Sequence, residues 1–428
     1  MKVLVLGSGA REHALVKAVA ADPEVDAVIA APGNPGIDAT ALCVPVDILD
    51  GAAVAALARQ HDVDLVVVGP EAPLVAGVAD VCREAGFPVF GPSAEAARLE
   101  GSKSFAKEVM AAAEVPTALA HVCTTLAEVE SALDALGAPH VVKDDGLAAG
   151  KGVVVTDSRE AALEHARACL AKPDGRLVVE EFLDGPEVSV FCVSDGRTVV
   201  ALSPAQDFKR VGDDDDGPNT GGMGAYSPLD WAPAALADDV VARVAQPTID
   251  EMRRRGTPFV GVLYVGLALT SRGPKVIEFN ARFGDPDGQA SLARLETPFA
   301  QLLLAAATGG LAEFGRLRWS DDHAVVVVVA SKGYPASPRT GDPITGLDAA
   351  AEVPGVVVLH AGTALAVDGA LVSAGGRVLD VVAVAPSLAE ARRAAYDAVA
   401  VVELDGSHHR SDIALRAELG DITIGGAS

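Results

Sequence analysis

DDGLAAGKGVVV, residues 144–155, sets one lysine among glycines and alanines and runs straight into valines. A lysine framed by glycines suggests a phosphate cradle. The common P-loop needs a glycine, four residues, then Gly-Lys-Ser/Thr opening a helix. Here only three residues separate Gly146 from Gly150, and Gly152 follows Lys151 where a magnesium-binding hydroxyl would stand. The continuation VVVT reads as a strand, not a helix. The loop is therefore not a Walker loop, and any nucleotide must be held by a different fold.

On its N-terminal side the chain alternates cleanly. KVLVLG (2–7), DAVIAAPG (26–33), VDLVVVGPEAP (63–73) and FPVFGPS (87–93) read as strands. REHALVKAVAA (11–21) and PLVAGVADVCREAG (73–86) read as helices. Continuous apolar strands alternating with helices predict a parallel sheet covered on both faces. The first turn, GSGARE (7–12), sits where a dinucleotide fingerprint would. Yet Glu12 takes the third glycine position, and the second strand ends in AAPG without the acidic residue that grips a ribose. The pattern predicts a Rossmann-like domain that does not bind NAD. Its helix N-terminus, with Gly9 and Arg11, remains suited to a phosphate ester.

Beyond residue 102 a smaller α/β unit is expected. It holds a helix over 101–115, strands at 140–145, 153–156 and 176–183, and a helix over 160–170. Longer strands follow at 187–196 and 198–208, then a glycine- and acid-rich loop (212–226). A long helix (235–256), strands at 260–271 and 274–283, and one helix over 289–310 close this part. Short strands and a last helix (390–402) read as a small α+β unit. The boundaries read as 1–101, 102–320 (with a lid subdomain at about 121–184) and 321–428.

Composition bounds the function. With 428 residues and a net charge of −25, nucleic acid is disfavoured as a partner, because phosphate backbones recruit basic surfaces. Small anionic ligands need only local Lys, Arg and N–H groups. No run of about 18 apolar residues suggests a membrane span, and Met1-Lys2 leads into VLVLG with no room for a signal peptide. Cys43, Cys82, Cys123, Cys169 and Cys192 form no CxxC pair, which fits reduced thiols in a cytoplasm.

VIEFNARFGDPD (276–287) carries the chemistry. Residues i and i+2 of a strand share a face, so Glu278 and Asn280 point together while Ile277 and Phe279 pack inward. A carboxylate beside an amide oxygen suits Mg²⁺, which takes a few oxygen ligands plus nucleotide phosphates. Arg282 would neutralise charge on a transferring phosphoryl group. In RLVVEEFLDGPEVSV (176–190), Glu180 and Glu181 end a buried strand like a hinge that could read adenine, and Glu187 could accept from ribose hydroxyls. Lys143, closing an apolar strand beside the glycine loop, reads as a phosphate ligand. For the strand alone, polar residues facing water remain an equal alternative.

Taken together, these segments resemble the ATP-grasp superfamily, in which two α/β lobes clamp ATP. They are most similar to its phosphoribosylamine–glycine ligase (glycinamide ribonucleotide synthetase) family. The carriers are GSGAREHAL, VGPEAPLV, FGPS, EGSKSFAK, KDDGLAAGKGV, EEFLDGPE, DFKRVGD, GPNTGGMGAYSP, EFNARFGDP, KGYP, HAGT and SDIALRA, in order over essentially the full length. The resemblance implies an N-terminal Rossmann-like (pre-ATP-grasp) domain, a two-lobed ATP-grasp domain and a small C-terminal α+β domain. It implies ATP, glycine and 5-phosphoribosylamine as substrates, Mg²⁺ or Mn²⁺ as the metal, and a monomer or weak dimer.

Residue by residue, it implies that Lys103 and Lys143 bind phosphate and that Gly150, Lys151 and Gly152 lie in a lid over the nucleotide. Glu180, Glu181 and Leu183 fall at the adenine hinge, with Glu187 at the ribose. Glu278 and Asn280 match the metal ligands, and Arg282, Lys143 and Lys151 the catalytic cations. Gly9, Arg11, Asp207, Lys209, Gly221, Gly222 and Asp285 match the substrate side. Departures from the family pattern are Asp144, Phe208, Asp214 and Asp287. Competing readings are another ATP-grasp carboxylate–amine ligase, a nicotinamide-dependent oxidoreductase and a scaffold without activity.

Overall fold

The structure, a computed structural model, describes residues 1–146 and 152–424. The apolar run Lys2–Gly7 forms the centre of a five-stranded parallel sheet. The strand order is Leu42–Cys43, Ala27–Pro32, Lys2–Gly7, Leu65–Val68, Val89–Phe90. Val3, Leu4, Val5 and Leu6 are wholly buried, because helices cover both faces and each side chain finds an apolar partner. The helix expected over 73–86 is two pieces, Glu71–Val75 and Val78–Glu84. Gly77, left-handed at φ +82°, breaks it.

Four antiparallel strands make the lid sheet, in the order Ala120–Cys123, Leu177–Glu180, His140–Asp144, Val153–Thr156. The helices Leu126–Leu136 and Arg159–Leu170 pack on it through Val129, Leu133, Ala162 and Ala166. The strand expected over 176–183 ends at Glu180. A second four-stranded sheet runs Val199–Ala201, Glu187–Asp195, Val260–Thr270, Gly273–Asn280. The cleft lies between these two sheets, beneath the helix Lys103–Ala112.

Two further expectations fail for local reasons, and a third holds with a distortion. The strand over 198–208 is interrupted around Pro204, and Gln206–Asp207 leaves its sheet to pair with Gly224–Ser227. That hairpin then joins His323–Ala330, Arg377–Ala385 and Val356–His360, so the C-terminal sheet borrows two strands from before residue 228. The helix over 289–310 is two, Asp287–Leu292 and Phe299–Thr308, because Pro298 cannot donate to the helical ladder and restricts Thr297. The long helix over 235–256 stays continuous, but carries a wide turn at Val241–Ala245 just ahead of Pro247, which lacks an N–H.

Candidate functional site

A cavity of about 340 Å³ opens where the N-terminal sheet, both ATP-grasp sheets and the C-terminal sheet meet. One end is built from lysines. Lys103 and Lys107 stand one turn apart on the helix Lys103–Ala112 and so share a face. Lys103 Nζ donates to the carbonyls of Asp144 (2.8 Å) and Gly146 (3.0 Å). Glu180, 3% exposed, lies between Lys107 (3.1 Å) and Lys143 (2.9 Å). Lys143 also donates to Ile277 O at 2.9 Å. Burial lowers the pKa of Lys103 and Lys107, opposed for Lys107 first by Glu180.

Glu278 and Asn280 both line the cavity, and neither side chain is hydrogen-bonded or ion-paired to another described residue. The strand does not alternate as expected. A bulge opposite Gly266/Leu267 puts Val276 in the buried row with Phe279, while Ile277 lines the cavity. Burial pushes the Glu278 carboxyl up, but Lys209, Lys143, Lys103 and Arg282 outweigh it and hold it below the usual range. Among the described residues no group of three or more His, Cys, Asp or Glu could cage a metal. Two free oxygen donors on one edge nonetheless fit a hard cation that takes its other ligands from phosphates and water. Arg282 is held by Glu100 (3.2 Å) and Glu71 (3.6 Å), which raise its pKa against burial.

The other end gathers carboxylates and arginines. Asp207 and Asp287 are both pushed up, first by burial, and each keeps one buried oxygen without a partner among the described residues. Lys209 pairs with Glu187 at 2.7 Å, which holds the lysine charged despite burial. Asp285 receives Arg377 at 3.0 Å, and Arg377 also donates to Gly221 O (2.8 Å) and Asp285 O (2.6 Å). Burial opposes the Asp285 charge, but Arg377 and Arg11 keep its pKa low. Gly222 sits at φ +119°, where a Cβ would lie 2.4 Å from Pro286 and 2.9 Å from Asp207.

Of the residues read from sequence, the cavity brings together Arg11, Lys103, Lys143, Gly152, Glu180, Asp207, Lys209, Gly221, Glu278, Asn280, Arg282 and Asp285. Gly9, Glu181, Leu183, Glu187 and Gly222 are not among its lining residues. The N–H of Gly9, expected to meet a phosphate, instead donates to Glu12 Oε2 at 2.7 Å. Glu12 fills a cradle formed by Gly7 and Gly69, where added Cβ atoms would lie 2.5 and 2.4 Å from it. Glu181 turns away to Lys275 and Arg272. Gly150 and Lys151 lie outside the described residues. Sequence reading missed Lys107, Glu71, Glu100, Tyr264 and Arg377. Lys107 could have been found from its i,i+4 spacing to Lys103; Arg377, in AGGRVLD, carries no local signal.

Residues 1–100, 101–288 and 324–416 match the N, ATP-grasp (A) and C domains of phosphoribosylglycinamide synthetase. The chain belongs to the phosphoribosylglycinamide synthetase family. It is 67% identical to the phosphoribosylamine–glycine ligase of Streptomyces coelicolor over 97% of this chain and 99% of that one. The Mycobacterium tuberculosis H37Rv enzyme of that name is 55% identical, over 99% and 100%. The crystal structure of phosphoribosylamine–glycine ligase from Thermotoga maritima superposes with a TM-score of 0.83 at 33% identity, covering 96% of this chain and all of that one. The biotin carboxylase domain of Hydrogenobacter thermophilus 2-oxoglutarate carboxylase (TM-score 0.70, 16% identity, covering 95% and 91%) shares the fold alone.

Within this synthetase frame the departures become packing facts. Phe208 lies under the Arg410 guanidinium at 5.0 Å and tilts against Tyr226. Asp144 pairs with Lys172, and the Asp214 N–H donates to Asp412 at 2.9 Å. Asp287 packs against Gly284, where a Cβ would meet its Oδ1 at 1.8 Å.

Proposed function

We infer that the protein is an ATP-dependent ligase joining glycine to 5-phosphoribosylamine, with release of ADP and phosphate, the second step of purine biosynthesis. The observation that supports it most is the division of one cavity into a lysine end with free Glu278 and Asn280 oxygens and a carboxylate–arginine end. A glycine carboxylate is a poor electrophile and needs activation. Its attack on the ATP γ-phosphate gives glycyl phosphate and ADP. The amine of phosphoribosylamine then adds to the activated carbonyl, and phosphate leaves as the amide forms.

Each step has a residue suited to it. Lys103 and Lys143 neutralise the nucleotide phosphates, and Arg282, fixed by two carboxylates, meets the charge spread over the transferring phosphoryl oxygens. Glu278 and Asn280 would hold Mg²⁺ or Mn²⁺, which supplies further charge neutralisation at those oxygens. The partly unpartnered carboxylates Asp207 and Asp287 suit the glycine ammonium. Arg11, Arg377 and Asp285 suit the phosphoribosyl group. Lys151, as a lid residue, would keep water from the acyl phosphate. The free thiols of all five cysteines fit a reducing cytoplasm.

A coupled assay for ADP tests the reading. ADP release should require both glycine and phosphoribosylamine. Equal release with glycine omitted would refute the ligase assignment.

A further inference from the structure

Asp380 is wholly buried on the strand Arg377–Ala385, yet it belongs to none of the chemistry above. It meets the site through one side chain. Gln289, 2% exposed on the short helix Asp287–Leu292, donates from a single Nε2 to Asp285 Oδ1 (2.7 Å) and to Asp380 Oδ2 (2.8 Å). An amide NH₂ has two protons, so both are used, one on each carboxylate. The other oxygen of Asp285 takes Arg377. Asp285 is thus gripped on both sides, by a guanidinium in the cavity and by an amide behind it.

We propose that Gln289 and Asp380 are positioning residues: they fix the Asp285 carboxylate so that Arg377 faces the phosphoribosylamine end of the cavity. Which substrate responds rests on the reading of that end given above. Arg377 starts the strand that carries Asp380, and a register shift lies between them. Its guanidinium is held by four acceptors: the Gly221 carbonyl, the Gly222 carbonyl at 3.5 Å, the Asp285 carbonyl and the Asp285 carboxylate. Only the last can swing. Without Gln289, two buried carboxylates lose the donor between them and repel, and the Asp285 side chain has no second contact to oppose the rotation.

The protonation of Asp380 bears on this hold. Burial first, then Asp285, pushes its carboxyl up to about 7, while Arg377 works the other way. The charged groups facing it are Asp285 from the loop after Gly273–Asn280 and Arg377 from its own strand. The strands on either side present Val328 and Leu359 at its register. Ionised Asp380 repels Asp285 across the Gln289 amide and shares the field of Arg377 with it. Neutral Asp380 leaves the charge of Arg377 to Asp285.

Steady-state kinetics of the full chain, with each substrate varied in turn at pH 6.5 and 8, test the proposal. Gln289→Met keeps the shape and removes the donor, and should raise KM for phosphoribosylamine about tenfold while KM for ATP stays within twofold. Asp380→Asn is an uncharged isostere. It should match wild type at pH 6.5 and lack the wild-type rise in KM for phosphoribosylamine between pH 6.5 and 8. Wild-type turnover dependent on glycine and phosphoribosylamine confirms the underlying activity separately. A Gln289→Met variant with equal effects on ATP and phosphoribosylamine, or with none, would overturn the proposal. So would a pH response in Asp380→Asn identical to wild type.

Discussion

Glu180 is the residue whose charge the lysine end can least spare. Its carboxylate is 3% exposed, with Lys107 at 3.1 Å and Lys143 at 2.9 Å. Glu180→Gln keeps the shape and leaves two ammonium groups with no anion between them. At an effective dielectric near 20, each pair at this distance is worth about 5 kcal/mol before desolvation. Removing one partner of a buried pair costs about 3–5 kcal/mol in net stability. Here the lower end applies, about 3 kcal/mol. Lys107 keeps Thr117 Oγ1 (2.8 Å) and Ala118 O (3.1 Å), Lys143 keeps Ile277 O (2.9 Å), and the cavity admits water beside them. Urea unfolding followed by the fluorescence of Trp231 and Trp319 should show that loss without nucleotide, and a smaller one with saturating Mg·ATP, whose phosphates replace the anion. Adding Lys107→Met should restore part of the loss, because the cluster then returns to one cation. A Glu180→Gln protein within 1 kcal/mol of wild type, or a double variant no better than the single one, would refute the electrostatic account.

Glu278→Gln should cut turnover on the order of 100-fold, the scale of losing one preorganised electrostatic group, while the unfolding midpoint barely moves; turnover within twofold at saturating Mg²⁺ would exclude the metal role. Gly222→Ala places a Cβ 2.4 Å from Pro286 and 2.9 Å from Asp207 at φ +119°, so stability should fall by about 1–3 kcal/mol and KM for glycine should rise; thermal melting and glycine titration check both. His13 is buried beside His360 and Lys17, and burial first lowers its pKa to about 3. Its unfolded form therefore binds the proton first: stability is full above about pH 6.5 and falls on acidification toward pH 3, by about 1.4 kcal/mol per pH unit. Urea midpoints at pH 7 and 5 should differ more in wild type than in His13→Gln.

Much of the fold is legible in local pattern. The run VLVL and the alternating helices of the first 100 residues declare a covered parallel sheet, because each strand must bury both faces. Boundaries fare worse where proline and glycine act. Pro298 divides a helix whose apolar pattern continues across it, and Gly77 divides another. The bulge before Glu278 cannot be seen in the sequence, since it depends on the register of the partner strand at Gly266/Leu267. Glu278 and Asn280 still reach the cavity, because the bulge lies before them and leaves their own i,i+2 relation intact.

The sequence by itself determined which chemistry the chain can carry: a glycine loop that is not a Walker loop, lysines at a strand end and a helix start, and paired oxygen donors on one strand. These are local relations, set by periods of 2 and 3.6 residues that hold in any context. Only the tertiary structure decided how the charges are satisfied. It paired Glu180 with two lysines from different elements, filled the Gly7 cradle with Glu12, and brought Arg377 and Asp380 from the last hundred residues to Asp285. Those pairings join residues from about 40 to 95 positions apart, except for Glu12, and no local period encodes them. Arg377 and Asp380 reach Asp285 because their C-terminal sheet takes in the strands Gln206–Asp207 and Gly224–Ser227 beside the cleft.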